Sequence, residues 1–474
     1  MNANPVPADL PRTLGALRAA GYQRRSVRDE LRANLEQRLA DGLPITSAVL
    51  GYEDSVLPQL ETALLAGHDV ILLGERGQAK SRMIRALCEL LDEWLPIVAG
   101  SAVRDDPLAP ISAHAIDLVA ERGDETPIDW VHRSERFAEK LASPDTSMAD
   151  LIGDVDPIKV AGGLYLDDPR ALSYGLVPKS NRGIFAINEL PDLAERIQVG
   201  LLNVLEERDV QIRNHLVRLD LDLMVVATAN PEDYTNRGRL ITPLKDRFGS
   251  QIRTHYPRDV ATELAIVRAE SRLPASPPVE VPWFIEEVVG RVSQLARQST
   301  AVSQHSGVSV RVSIADFEAV AANAVRRSLG SGDALAVPRI SDLAAIVQAA
   351  TGKLELEGLD DQEPERVIAT LVALAVRQCF TEHVVLDDAA ALVASFEGEV
   401  VVHAGDDLPD AHYAEVLAAL PALAAAVDQV AGAGAGPGQR AAATEFVLEG
   451  LHLTKRLAKE ARGPRALYRA RTGR

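Results

Sequence analysis

Two spacings of apolar residues divide the chain. From Ile45 to about Pro257, short continuous apolar runs, Val70–Leu73, Ile184–Ile187 and Met224–Thr228, alternate with helical segments. Runs of this length, apolar at successive positions, suit strands of a mostly parallel sheet covered on both faces. After Pro257 the period becomes helical, with segments expected near 258–271, 281–300, 312–328, 340–357 and 364–381. Ahead of the sheet, Leu14, Leu17, Tyr22, Val27, Leu31, Leu35 and Leu39 recur at near-helical spacing in a polar background and Pro44 closes them, which predicts a helical arm. The expected class is therefore α/β, a parallel-sheet domain followed by an all-α lid and a C-terminal helical region. The expected boundaries are 1–45 for the arm, 46–257 for the α/β domain, 258–360 for the lid and 361–430 for further helices. A Gly-Ala-rich stretch over 431–439 reads as a flexible linker, leaving a basic helix over 440–474 that carries Lys455, Arg456, Lys459, Arg462, Arg465, Arg469 and Arg471.

The first apolar run leads straight into chemistry. Gly74-Glu75-Arg76-Gly77-Gln78-Ala79-Lys80-Ser81 follows Val70–Leu73 and opens a helix, close to the pattern G-x-x-x-x-G-K-[ST]. Backbone N–H groups of such a loop and the helix start surround a β-phosphate, the lysine reaches β/γ oxygens, and the hydroxyl binds Mg²⁺. Gly74, Gly77, Gln78, Ala79, Lys80 and Ser81 are thus candidate nucleotide-binding residues, with ATP and Mg²⁺ the expected ligands. Ala79 stands where the pattern has glycine. That exchange costs about 1 kcal/mol if the backbone there needs positive φ.

Later segments supply the remaining parts of a phosphate-hydrolysing site. The run Gly183–Ile187 ends in Asn188-Glu189, at the place where P-loop ATPases carry Asp-Glu. Glu189 can position or deprotonate a water, and Asn188 offers a neutral oxygen to the metal beside Ser81. One negative charge fewer predicts weak Mg²⁺ binding and slow turnover. The alternative is an Asn188 that caps a turn and a Glu189 on the surface. Asn230, just past Met224–Ala229, is placed to orient water against the γ-phosphate. Arg247, in Thr242-Pro243-Leu244-Lys245-Asp246-Arg247-Phe248, is a candidate arginine finger for a neighbouring subunit, with an intrachain ion pair to Asp246 or another carboxylate as its alternative. Arg311, opening a lid helix, is a candidate phosphate contact or else a surface arginine.

Those residues in that order resemble the AAA+ ATPases, in the branch that holds MoxR-family ATPases and the ATPase subunit of magnesium chelatase. Asp150–Asp156, Tyr174–Pro178 and Asn181–Ile184 are similar to the chelatase insert that leads into its Walker B strand. The resemblance covers about residues 46–345. It implies an ATPase ring, a homo-hexamer, that remodels or activates a partner protein, often one with a von Willebrand A domain. Departures are Asn188 and a long interval, about 98–182, whose block near 98–148 holds Trp130, His132, Arg133, Glu135, Arg136 and Phe137. Within it Leu164-Tyr165-Leu166 reads as a hairpin tip, either exposed toward a client or packed on its own domain.

Composition narrows the rest. The 474 residues carry 50 Lys+Arg against 68 Asp+Glu, a net charge of −18 that repels nucleic acid and anionic lipid. Cys88 and Cys379 lie far apart in apolar helical patterns, so neither a disulfide framework nor a zinc site is supported, and buried thiols in a reducing cytoplasm are expected. No stretch reaches 18 consecutive apolar residues, and no signal peptide is visible. Two other readings stay open: a nucleotide-dependent scaffold that hardly hydrolyses ATP, suggested by Asn188, and a DNA- or transcription-associated ATPase, kept alive by the basic C-terminal segment.

Overall fold

The computed structural model describes residues 5–163, 165, 168–206, 219–230, 240–303, 307–356, 363–386, 389–398, 400–432, 434–463 and 465–471. Two compact units divide the chain, Met1–His255 and Tyr256–Arg474.

In the first unit, helices α1 (Val27–Ala40) and α2 (Val56–Leu65) precede a five-stranded sheet, and α3 (Lys80–Ala86), α4 (Glu195–Glu206) and α5 (Thr242–Arg247) alternate with its strands along the chain. Its strands are β1 (Val70–Leu73), β2 (Phe137–Leu141), β3 (Gly183–Asn188), β4 (Leu223–Ala229) and β5 (Ser250–Arg253), in the spatial order β2-β3-β4-β1-β5 with every pairing parallel. Strands β1, β3 and β4 are buried at every position, which is why they read as unbroken apolar runs. Successive residues alternate between two cores. Ile71, Leu73, Phe185, Ile187, Val225 and Ala227 pack with α4 and Leu244, whereas Val70, Leu72, Ile184, Ala186, Met224 and Val226 pack with α1, α2 and α3.

Two expectations need correction here. The N-terminal segment is no appended arm: Val27, Leu31 and Leu35 enter the sheet's own core. A buried ion pair fixes it, with Arg136 Nη1 and Nη2 each 2.6 Å from a carboxylate oxygen of Glu30 and Arg136 Nε donating to the Arg182 carbonyl at 2.9 Å. Nor is the 98–182 interval all insertion, because β2 lies inside it and forms the sheet's edge. That strand carries Glu139 and Lys140 and is only partly buried, as edge strands tolerate, so its apolar signal is weak. Around it the chain forms two antiparallel ribbons, Trp94–Val98, just ahead of the interval, with Ile128–His132, and Gly153–Val155 with Leu172–Tyr174.

The second unit holds α6 (Val260–Glu270), α7 (Trp283–Gln298), α8 (Val310–Ser331), α9 (Pro364–His383), α10 (Pro421–Ala431) and α11 (Pro437–Leu453). It also holds a three-stranded antiparallel sheet of β6 (Val401–Gly405), β7 (Leu457–Arg462) and β8 (Arg465–Ala470), in the order β6-β8-β7. One continuous core runs from Val267 to Tyr468, so residues expected to form a lid, a helical region and a detached tail share their apolar contacts. The expected basic helix over 440–474 is replaced by α11 and a β-hairpin. Ala441–Leu451 is buried without interruption, and Lys459, Arg462, Arg465 and Arg469 lie on the strands, where Lys459 meets Glu449 at 2.8 Å and Arg465 meets Asp407 at 2.8 Å. The Gly-Ala stretch joins a helix that ends at Ala431 to one that begins at Pro437, with Gly432 and Gly434 at φ 88° and 86°. Among the described residues no helix is long and apolar enough to cross a membrane.

Candidate nucleotide and metal site

Parallel pairing brings the strand ends together. Leu73 lies opposite both Ala229 and Arg253, and Leu141 lies opposite Asn188. Whatever follows β1, β3 and β4 therefore converges on the carboxyl edge of the sheet, the edge at which open α/β sheets bind ligands.

The loop after β1 is braced by its own side chains. Gln78 is buried, and its Oε1 accepts from Thr254 Oγ1 at 2.6 Å and from the Glu75 N–H at 3.1 Å. A Cβ on Gly74 would lie 1.8 Å from Thr254 Oγ1 and 2.2 Å from Gln78 Oε1, so only glycine fits. Ala79 adopts φ 55°, the left-handed region, which answers the question posed by its position: the loop does need positive φ there, and alanine bears the strain. Lys80 Nζ folds back over the loop, donating to the carbonyls of Gly74 and Glu75. The Tyr52 hydroxyl lies 2.8 Å from the carbonyls of both Gln78 and His255, pinning the loop to the chain beyond β5. Its burial raises the phenol above its usual range. No feature of the sequence pattern singled out Tyr52 or Thr254, which reach the loop from distant segments.

Ser81, at the start of α3, donates to Asn188 Oδ1 at 3.2 Å, and Thr228 Oγ1 lies 3.3 Å from the same oxygen. Asn188 Nδ2 donates to Glu139 on β2, whose carboxylate also takes Arg85 Nε at 2.7 Å and Nη2 at 2.9 Å. The Asn188 amide is thus oriented, oxygen toward Ser81 and nitrogen toward Glu139. Hard oxygens of this kind fit Mg²⁺, which takes few protein ligands and completes its shell with phosphate and water. Among the described residues no group of three His, Cys, Asp or Glu side chains could hold a metal by itself. Glu189, next in sequence, sits at φ 55° with its N–H donating to Thr228 Oγ1 at 3.0 Å. A glutamate held in the left-handed region is the type of local strain that accumulates at working sites.

Asn230 is buried, and its Oδ1 has no hydrogen-bond partner among the described residues. A buried amide oxygen left unpaired costs about 1–3 kcal/mol, and a water beside a bound phosphate would relieve that cost. Arg247, 36% exposed on α5, pairs with Glu206 at the end of α4, at 2.8 and 2.9 Å, and more loosely with Asp246 at 3.8 Å. The intrachain ion pair weighed as its alternative role is therefore present. Arg311 is exposed in the first turn of α8, in the other unit, and is not brought to the loop's residues within a single unit. Tyr165 is 81% exposed, while Leu164 and Leu166 of the expected hairpin tip lie outside the described residues. Cys379 is buried, which pushes its thiol up to about 12.

The strand order, the loop, and the serine and asparagine at the sheet edge define an α/β P-loop domain of the AAA+ type. Comparison with known proteins narrows the class. No model of a known protein family matches the chain. It is 29% identical over 249 residues to the magnesium-chelatase 38 kDa subunit of Rhodobacter capsulatus, covering 51% of this chain and 63% of that one. It is 29% identical over 244 residues to the magnesium-chelatase subunit ChlI of Nostoc sp., covering 49% and 60%. A structure of the complex between subunits BchI and BchD of magnesium chelatase aligns at 22% identity with a TM-score of 0.36, over 69% of this chain and 98% of that one. The chain is similar to magnesium-chelatase subunits over about half its length, and its matches span about six-tenths of those relatives' length.

Proposed function

We propose that this chain binds and hydrolyses ATP with Mg²⁺, works as a homo-hexameric ring, and uses turnover to remodel or activate a partner protein, one bearing a von Willebrand A domain. The observation that carries the reading is the meeting of Ser81 with Asn188 Oδ1 beside the loop that holds Lys80. In this reading Lys80 leaves the loop carbonyls for the β/γ-phosphates, and Ser81 and Asn188 hold the ion. Bound Mg²⁺ would neutralise charge developing on the phosphate oxygens. Glu189 takes a proton from the attacking water, and Asn230 Oδ1 accepts the other hydrogen bond that water can donate. Arg247 exchanges Glu206 for a neighbouring subunit's γ-phosphate, and Arg311 contacts phosphate from the lid, taken as 258–360. The relatives are named as subunits of a larger enzyme, which supports a partner.

The test pairs two substitutions. Lys80→Ala should abolish nucleotide binding, read by displacement of a fluorescent ATP analogue, while Glu189→Gln keeps binding and stops phosphate release. Equal nucleotide affinity in wild type and Lys80→Ala would sink the reading. The scaffold alternative rests on Asn188: tight binding with no steady-state phosphate release, with or without partner, would favour it. The DNA-associated alternative loses support, since Lys459, Arg462, Arg465 and Arg469 all meet carboxylates.

A further inference from the structure

Asn188 leaves the metal position without the carboxylate that P-loop ATPases place there, yet a carboxylate stands directly behind it. In the parallel pairing of β2 with β3, Glu139 is opposite Ala186 and Leu141 is opposite Asn188. Glu139 thus lies two residues before the partner of Asn188, and its side chain spans the gap to accept from Asn188 Nδ2. It is 21% exposed, and Arg85, which is 63% exposed, donates to both of its carboxylate oxygens.

We propose that Glu139 is the positioning residue of the metal site and replaces, through Asn188, the missing aspartate. An amide has a donor end and an acceptor end. A carboxylate accepts only, so Glu139 admits only the NH₂ of Asn188 and turns Oδ1 toward Ser81 Oγ, where an ion coordinated by Ser81 would lie. The hydrogen bond to an anion also polarises the amide and makes Oδ1 a better ligand, as carboxylates behind metal-ligating side chains do. An aspartate at 188 would abut Glu139, carboxylate against carboxylate, and lose the Nδ2 donor. In this chain, asparagine at 188 and glutamate at 139 form a matched pair, and the weak Mg²⁺ binding expected from Asn188 alone does not follow.

This inference rests on the nucleotide-binding reading, and the experiment separates the two. Binding of a fluorescent, non-hydrolysable ATP analogue is measured in EDTA and during Mg²⁺ titration, and Mn²⁺ bound with the same analogue is read by electron paramagnetic resonance. Glu139→Gln, whose own amide can present NH₂ and let Asn188 turn over, should weaken apparent Mg²⁺ and Mn²⁺ affinity about tenfold or more and leave analogue affinity in EDTA unchanged. Asn188→Asp alone should also lose metal affinity, whereas Glu139→Gln combined with Asn188→Asp should recover it. An unchanged metal affinity in Glu139→Gln, or a gain in Asn188→Asp alone, overturns the proposal. A wild-type chain that takes up no analogue in either condition overturns the nucleotide-binding reading instead, and this one with it. Matching melting curves for the single and double variants show that lost affinity is not lost folding.

Discussion

Ala79 is the residue at which the loop's sequence and its backbone disagree. Its φ of 55° is one that glycine adopts freely, and alanine carries about 1 kcal/mol of strain there. The surroundings enforce the angle: Gln78 is tied to Thr254 on one side, and α3 begins on the other. A second residue under stress is Asp316 on α8. It is fully buried, neither carboxylate oxygen has a hydrogen-bond partner among the described residues, and burial pushes its pKa up to about 8, with Lys353 pulling the other way. A folded-state pKa above the unfolded value means that the folded chain holds a proton the unfolded chain releases. Stability from this group is therefore complete below about pH 4 and is lost as pH rises toward 8. Asp316→Asn removes the titration. Urea denaturation should show the variant more stable than wild type near pH 8, by on the order of a few kcal/mol, with the difference vanishing near pH 4. A difference independent of pH would mean that Asp316 is ionised and paired in the native state.

At the scale of elements, α11 shows how far local sequence can mislead. Its residues are small and mixed in polarity, and the glycines before it suggest a loose joint, yet it forms the centre of the second unit. Phe446 stacks on Phe284 with ring centroids 4.5 Å apart, and Phe380 meets it edge-on at 5.7 Å. Gly450 permits this approach, since a Cβ there would lie 2.2 Å from the Phe380 ring. Alanine is the better helix former by about 1 kcal/mol, so on an exposed helix Gly450→Ala would stabilise. Here the clash dominates: the exchange should destabilise by about 1–3 kcal/mol, read from the urea midpoint. Pairing it with Phe380→Leu should recover part of that loss, because the smaller side chain vacates the ring's position.

For the whole molecule, the proposed ring makes Arg247 the residue that tests whether one chain is a complete catalyst. Its pair with Glu206 joins two partly exposed side chains, and such a bridge contributes less than about 1 kcal/mol. Arg247→Ala should therefore leave the melting temperature within about 2 °C of wild type and leave nucleotide binding intact while abolishing turnover. Mixed with a Lys80→Ala chain, also inactive, it should recover activity, because one interface of a mixed ring then joins an intact loop to an intact arginine. Mixed rings that form yet remain inactive would assign Arg247 to its own chain. Glu206→Ala offers a further reading: it frees the guanidinium, and turnover in the assembled ring should stay the same or rise.

How much of this was legible before folding follows from the range of each interaction. The parallel sheet, the loop and the positions of Lys80, Ser81, Glu189 and Asn230 were readable, because a buried strand must be apolar throughout and a phosphate loop is built from neighbours in sequence. The helical segments of the second unit were readable from their period, though its three strands were not. Other features depend on partners far along the chain. Glu30 finds Arg136, Gln78 finds Thr254, and Asn188 finds Glu139, separations of 106, 176 and 49 residues. No local pattern records such pairs. A half-buried edge strand such as β2 hides its apolar period, and a Gly-Ala stretch reads the same whether it joins packed helices or hangs free. The sequence by itself determined which residues make up the loop and where the buried strands around it would lie. Only the tertiary structure decided what stands behind each side chain, because burial, ion pairing and the orientation of an amide depend on groups that folding brings together.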